Sequence, residues 1–321
     1  MATLAQLPAL RRAAVRAVLA PSVHNTQPWR LVLGPGSLEV HADWSRRLPV
    51  LDGQGRQVLL SCGCALLNAR CSLAAAGVPV RVDRFPDPAR PHLLARIVVL
   101  EAAVPGDAEA DADLADLAGL DAAVEDRRTN RTRFDAVAPP PELLERLVSV
   151  AAREGVELRP LDERQTRAAA HLSRVADGAE DATPGYRHEL AAWTEVDTGR
   201  RDGVPGARSL RTRPRVDTHG TGWLPAFAGP GALLVLGTRH DSQVAWLRAG
   251  EALERVLLTL TGAGLAVSKL MQAVEVGETN DRLRSELGLT MHPQSLLRVG
   301  TAPAVPATRR RRLVDVLSEV G

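Results

Sequence analysis

A chain of 321 residues with 45% apolar content and a formal net charge of +2 has room for two ordinary domains or one large one. That composition excludes a disordered or fibrous protein, and the small net charge gives no ground for nucleic-acid binding by the chain as a whole. Aromatic residues make up only 3% of it, so the core must be built from Ala, Val and Leu.

Residues 4–19 place Leu4, Leu7, Leu10, Ala14 and Val18 on one helical face, with Arg11, Arg12 and Arg16 between them. The spacing predicts an amphipathic helix and lacks the uninterrupted apolar run of a signal peptide. No charge-free apolar stretch of about 18 residues occurs, so the expectation is a cytoplasmic chain without a membrane span. After Pro21, "WRLVLGPGSLEVHAD" reads as a hairpin around Gly34-Pro35-Gly36. "GRQVLLSCGCALLNARCSLAAAG" is apolar nearly all round and closes on Gly77, which predicts a helix buried on every side. Its three cysteines, Cys62, Cys64 and Cys71, read as plain buried thiols. Two strands, "VPVRVDRF" and "HLLARIVVL", follow, and the acidic, Ala-rich stretch 102–120 reads as a surface connection.

A second unit begins near Asp121. "PPPELLERLVSVAAREG" predicts a helix opened by prolines and capped at Gly155, "VELRPL" a strand, and Glu163–Asp177 and Pro184–Glu195 further helices. Residues 196–225 are rich in Gly, Pro, Thr and Arg without any period, and so long a stretch suggests a cover over a site. "GALLVLGT" reads as a buried strand, "DSQVAWLRAGEALERVLLTLTGAG" as a long helix and "SLLRVGTA" as the last strand. At an offset of 187 residues Gly63 falls on Gly250, Leu66 on Leu253, Leu73 on Leu260 and Gly77 on Gly264. This internal repeat suggests two similar halves packed on one another.

Two segments carry chemistry. In "PSVHNTQPWR", Pro21 and Pro28 fix the backbone, while Ser22, Asn25, Thr26 and Gln27 offer donors and acceptors suited to a flat, polar-edged heterocycle. An ordered turn with Trp29 as a core plug is the plainer alternative. In "RRTNRTRFD", Arg127, Arg128, Arg131 and Arg133 with Thr129 and Asn130 suit a phosphate monoester. A solvated basic turn explains that run equally well. No dinucleotide fingerprint, Walker loop, nucleophile elbow or zinc spacing occurs. An enzyme of this kind needs a bound cofactor for its hard chemistry.

"APSVHNTQPWRLVL" resembles the Pro-Ser-x-x-Asn-x-Gln-Pro-Trp loop of the FMN-dependent nitroreductase family, and "RRTNRTRFD" is similar to its Arg-rich segment. The closing "HPQSLLRVGTAPAVPATRRRR" resembles the family's final strand and arginine tail. The branch resembled is the actinobacterial Acg-like group, with two nitroreductase-like halves fused in one chain, and coverage runs from about residue 8 to 312. Two departures stand out. The Arg segment follows the loop rather than preceding it, and it carries one residue more than the usual spacing before Phe134.

The resemblance implies an α+β fold in which two similar halves, 1–120 and 121–321, form an intramolecular pseudo-dimer. Each half would hold a mixed or antiparallel sheet and a buried central helix. It implies one FMN site at the seam. Arg127, Arg128, Asn130 and Arg131 would hold the phosphate with Arg309 or Arg310, while Pro21, Ser22, His24, Asn25 and Gln27 would lie along the ring edge. Asp202 and Gly203 would place a backbone amide near flavin N5, and the rest of 196–225, including Trp223, would form a lid. The expected activity is NAD(P)H-dependent reduction of nitroaromatics, quinones or similar acceptors, without a required acid or base residue and without a metal. The alternative is FMN storage behind a closed lid. The expected partners are a small-molecule substrate and NAD(P)H, not nucleic acid or membrane, in a monomeric pseudo-dimer or a higher homo-oligomer. A basic nucleic-acid module is a third reading, disfavoured because Phe134 alone among aromatics accompanies the Arg runs.

Overall fold

The computed structural model describes residues 6–101, 108–130, 134, 139–195, 200–205 and 233–320. Helix α1 (Leu7–Ala17) buries Leu10, Ala13, Ala14 and Ala17 along one stripe, as its helical spacing requires. Strands β1 (Trp29–Gly34) and β2 (Ser37–Ala42) form the expected hairpin, and α2 (Arg56–Ala75) leads to β3 (Val80–Arg84) and β4 (Leu93–Val99). Next come α3 (Ala108–Leu120), α4 (Ala123–Asp126), α5 (Pro141–Ala152), β5 (Glu157–Pro160), α6 (Glu163–Ala182) and α7 (Tyr186–Ala192). Short strands β6 (Thr194–Glu195) and β7 (Val204–Pro205) pair with each other. The chain continues through β8 (Leu233–Thr238), α8 (Gln243–Gly262), β9 (Ala266–Leu270), α9 (Gln272–Glu275), α10 (Gly277–Glu286), β10 (His292–Gly300) and β11 (Leu317–Glu319).

Beside that β6-β7 pair, the described residues form two larger sheets, in an α+β arrangement. The first runs β11-β1-β2-β4-β3 and the second β5-β8-β10-β9. The inner orders match position for position, with β1 answering β5, β2 answering β8, β4 answering β10 and β3 answering β9. Every pairing in those matched sets is antiparallel. The unmatched strand β11 joins β1 in parallel, Leu31 opposite Leu317, so the end of the chain completes the sheet begun by its start.

Between the sheets α2 and α8 pack on each other, and they obey the 187-residue offset residue by residue. Both are 20 residues long. Both end in the same cap, a left-handed glycine at Gly77 (φ 67°) and Gly264 (φ 73°). The Val78 and Leu265 amides each reach back 3.0 Å to the carbonyls of Leu73 and Leu260. The crossing point is Gly63 against Gly250. A Cβ on Gly63 would sit 2.1 Å from the Leu247 carbonyl oxygen, and one on Gly250 2.1 Å from that of Leu60. Such reciprocal contacts, each residue meeting its partner's equivalent, mark a two-fold relation. Helix α2 is also long and apolar enough to cross a membrane, which no other described helix is, but it is almost wholly buried in this core.

Charge locks the same seam. Arg70 of α2 lies 2.8 Å from Glu154 and 2.6 Å from Glu251, Arg84 lies 2.7 Å from Glu251, and Arg255 lies 2.9 Å from Glu154. Arg255 and Glu251 are fully buried. Removing one member would strand a buried charge.

Several expectations need correction. The stretch 102–120 is not all surface connection: residues 108–120 are helix α3, which buries Leu117 and Leu120 against Leu67 and Cys71. Its acidic residues misled because Asp113 and Asp116 face the buried Arg255 rather than solvent. Residues 184–195 are helical only over Tyr186–Ala192, since Gly185 adopts φ 85° before it and Thr194–Glu195 is strand. Within 196–225 the described Val204–Pro205 is strand, and residues 196–199 and 206–225, with Trp223, lie outside the described residues. The sequence reading also passed over β9, α9, α10 and β11.

Candidate functional site

The loop after α1 is held by its own backbone. Ser22 is the pivot: its carbonyl accepts the Asn25 amide at 3.1 Å and its Oγ accepts the Gln27 amide at 2.9 Å. This winding forces His24, Asn25 and Gln27 to φ of 42°, 55° and 51°. Left-handed backbone at a non-glycine residue costs about 1 kcal/mol or more and persists only where surroundings over-determine it. Here they do. Pro21, Thr26, Gln27, Pro28 and Trp29 are buried, Trp29 completely, as the plug at the head of β1.

The side-chain amides of the loop are spent on two distant segments. Asn25 Nδ2 donates to the carbonyls of Gly203 and Arg309, both at 3.1 Å, and its Oδ1 accepts from Arg310 at 3.2 Å. Gln27 Nε2 donates to the Arg201 carbonyl at 2.8 Å, and its Oε1 accepts the Arg311 amide at 2.7 Å. Ser22 and His24 are half-buried at the same place.

Segment 200–205 is clamped over the loop from outside. Arg46 donates to the Thr26 carbonyl at 2.5 Å and pairs with Asp202, which also pairs with Arg200 at 2.9 Å. Both guanidiniums flank Trp193, at 5.2 and 5.5 Å from the ring centroid. Burial pushes the Asp202 carboxyl up, but the hydrogen bonds from Arg46 and Arg200 outweigh it and hold it below its ordinary range. Gly203 donates its amide to the Asn25 carbonyl at 3.3 Å. At φ 78°, with a Cβ there only 2.8 Å from the Trp193 carbonyl oxygen, this position requires glycine.

Beside the loop, two arginines from opposite parts of the chain meet at the Leu19 carbonyl: Arg310 Nη2 at 3.1 Å and Arg127 Nη2 at 3.5 Å. Arg127 is buried, its Nε 3.3 Å from Glu254 Oε1. Arg127 Nη1 and Arg310 Nε are buried with no hydrogen-bond partner among the described residues. Burial, and then the like charges of Arg127 and Arg128, push Arg310 down to about 10.

Arg128 is half-buried and turned onto the Glu125 and Arg127 carbonyls. Asn130 is buried, its amide side chain donating to the Pro303 carbonyl at 2.7 Å. Arg309 contributes its carbonyl while its side chain is exposed. Arg131 lies outside the described residues. Sequence reading missed Arg46, Arg311, Glu254 and Lys269. Arg311 carried a signal as a member of the arginine run 309–312, and Lys269 as the one lysine among 40 basic residues.

The site therefore joins a strained polar loop, a clamped segment and a cationic recess short of acceptors. No family model matches the chain. It is 38% identical over 320 residues to Rv3131 of Mycobacterium tuberculosis strain H37Rv, named as a candidate NAD(P)H nitroreductase, covering 94% of this chain and 88% of that one. It is 32% identical over 329 residues to the acg product of the same strain, similarly named, covering 96% and 94%. Among solved structures it resembles the FMN- and NADPH-dependent nitroreductase NfnB of a Sphingopyxis strain, with 21% identity, a TM-score of 0.43, and coverage of 63% of this chain and 99% of that one. Matched along nearly its whole length to the two mycobacterial proteins, the chain belongs to their family, the NAD(P)H nitroreductases.

Proposed function

We propose that the protein is an FMN-dependent NAD(P)H oxidoreductase of nitroreductase type, with one flavin held where the loop, the 127–130 segment and the tail converge. The observation that carries this reading is the meeting of Arg127 and Arg310 at Leu19, with buried guanidinium nitrogens left over. Such donors suit a phosphate dianion. Arg127, Arg128 and Arg310 would bind it, with Arg309 next to Arg310 in the tail, and Asn130 would fix the turn through Pro303; Arg131, expected to join them, lies outside the described residues. The ring would lie on the loop at Pro21, Ser22 and His24. Asn25 and Gln27 act as fasteners, since their amides go to segments 201–203 and 309–311.

FMN, when bound, supplies the redox chemistry by accepting hydride from NAD(P)H and passing electrons to a nitroaromatic, quinone or similar acceptor. The chain's own residues bind, orient and shield. Gly203 gives its amide to Asn25, so the donor assigned to the ring's N5 region is that of Asp202, which would favour developing negative charge there. We assign the halves to 1–120 and 121–321 as an intramolecular pseudo-dimer in the cytoplasm, either monomeric or in a higher homo-oligomer.

A storage role is favoured by one observation, the clamp of Arg46 and Arg200 on Asp202 and Trp193, which holds segment 200–205 against the loop. FMN titration followed by anaerobic mixing with NADH and NADPH tests both. Bleaching by either nucleotide is expected; flavin bound but not bleached favours storage, and no FMN uptake refutes both.

A further inference from the structure

Glu254 lies in the middle of α8 and is fully buried, and neither of its oxygens has a hydrogen bond of good geometry. Its nearest cation is Arg127, at 3.3 Å. Around it stand Asn68, Cys64 and Cys71 of α2, Lys269 of β9 and Arg310 of the tail. Burial pushes both thiols well above their ordinary range. The carboxylates of the other helices packed on α8 are occupied or turned away: Asp113, Asp116 and Glu154 serve Arg255, Glu125 serves Arg16, and Asp126 is exposed. One buried carboxylate thus answers several cations. Burial raises its own pKa, opposed by the charges of Arg127 and Lys269, the side-chain amide of Asn68 and the charge of Arg310.

An anion placed on Arg127 and Arg310 changes this balance. It takes over Arg127 and adds negative charge beside a carboxylate that the fold buries completely. We propose that Glu254 is a proton-coupled counter-ion of the arginine recess: seating a phosphate dianion there draws Arg127 away, and Glu254 takes up one proton from solvent. The inference rests on the phosphate site proposed above. Glu254 is a positioning residue in this scheme, acting through Arg127 and touching no ligand. Its signature is an affinity that falls as pH rises.

The test is the FMN dissociation constant of wild type and Glu254→Gln between pH 5 and 8.5. The phosphate's own ionisation, near pH 6, is common to both proteins. Wild type is expected to weaken relative to the variant by up to about tenfold per pH unit at the steepest point, one proton's worth, with the two merging at low pH. Parallel curves, or loss of FMN binding by the variant at every pH, would overturn the proposal. If the variant does not fold, calorimetry of wild type at pH 7.5 in two buffers of different ionisation heat decides: uptake of protons is expected, and none refutes it. If FMN does not bind at all, the flavin reading fails by itself. Sulfate, a dianion that does not titrate here, then replaces FMN in the calorimetry, and the absence of proton uptake with it overturns the counter-ion role.

Discussion

Gly63 and Gly250 bring their backbones so close that a methyl group on either would lie 2.1 Å from a carbonyl oxygen of the opposite helix. Neither helix has slack, since each neighbour is itself backbone. Gly63→Ala or Gly250→Ala must force α2 and α8 apart, and overpacking of this kind costs about 1–3 kcal/mol or more. Denaturant unfolding should show that loss for both variants, and of similar size. Gly119→Ala, with open space around it, should show no loss.

Arg310 spends its guanidinium on Asn25 and Leu19 yet keeps Nε unpartnered. A charge-assisted hydrogen bond to phosphate contributes about 1.5–3 kcal/mol. Arg310→Ala should therefore weaken FMN binding about 10- to 100-fold, and riboflavin, which lacks the phosphate, should bind both proteins alike. Arg167→Ala, on the exposed face of α6 and paired among the described residues with Glu163, should leave FMN affinity unchanged. Arg16, on α1, would make a poor control because it is tied to Asp121 and Glu125.

Asp52 caps α2 by accepting the amides of Gln57 and Val58 at 3.0 and 3.1 Å. Burial nevertheless pushes its carboxyl up to about 6 from 3.8, against the pull of those two amides. An acid with a raised native pKa contributes stability that is fully present below its unfolded value and is lost as pH rises through the folded one. Stability attributable to Asp52 should fall between pH 4 and 6, by on the order of 2–3 kcal/mol. Asp52→Asn should flatten that part of the profile in urea unfolding measured across it, and an unchanged slope would refute the assignment.

Cys62, Cys64 and Cys71 are buried, unpaired thiols, and burial drives each of them well above the ordinary thiol range. Thiolate is the reactive form. Native protein should resist a thiol reagent at pH 8 for as long as it stays folded, and all three should react in denaturant. Fast native labelling of any one would contradict the packing of α2.

How much the sequence disclosed depended on the distance to each residue's partner. The equivalence of Gly63 and Gly250 was legible from the 187-residue offset, which the left-handed caps at Gly77 and Gly264 share, but their meeting at the helix crossing was not. Trp29 as a core plug was legible from its flanking strand. Helix α3 was not, because an acidic face reads as solvated until Arg255 is placed beneath it. The three-residue strand β11 has no pattern of its own and forms on the free edge of β1. Asn25 and Gln27 were expected along a ring edge, but most of their side-chain hydrogen bonds go to chain 174 or more residues away, which no local spacing encodes. Glu254 was hidden inside a helix that otherwise looks like core.

The tail that ends in β11 makes the order of synthesis matter. The loop at 21–30 leaves the ribosome early, but Arg309, Arg310 and Arg311 reach it only after some 284 further residues. Until then the strained backbone at His24, Asn25 and Gln27 is held by Ser22 and Arg46 without the tail, and the edge of β1 that β11 takes is unpaired. Contacts of such long sequence separation form late and slowly. A chain cut before residue 309 thus lacks the partners that Arg309 and Arg311 give to the side chains of Asn25 and Gln27.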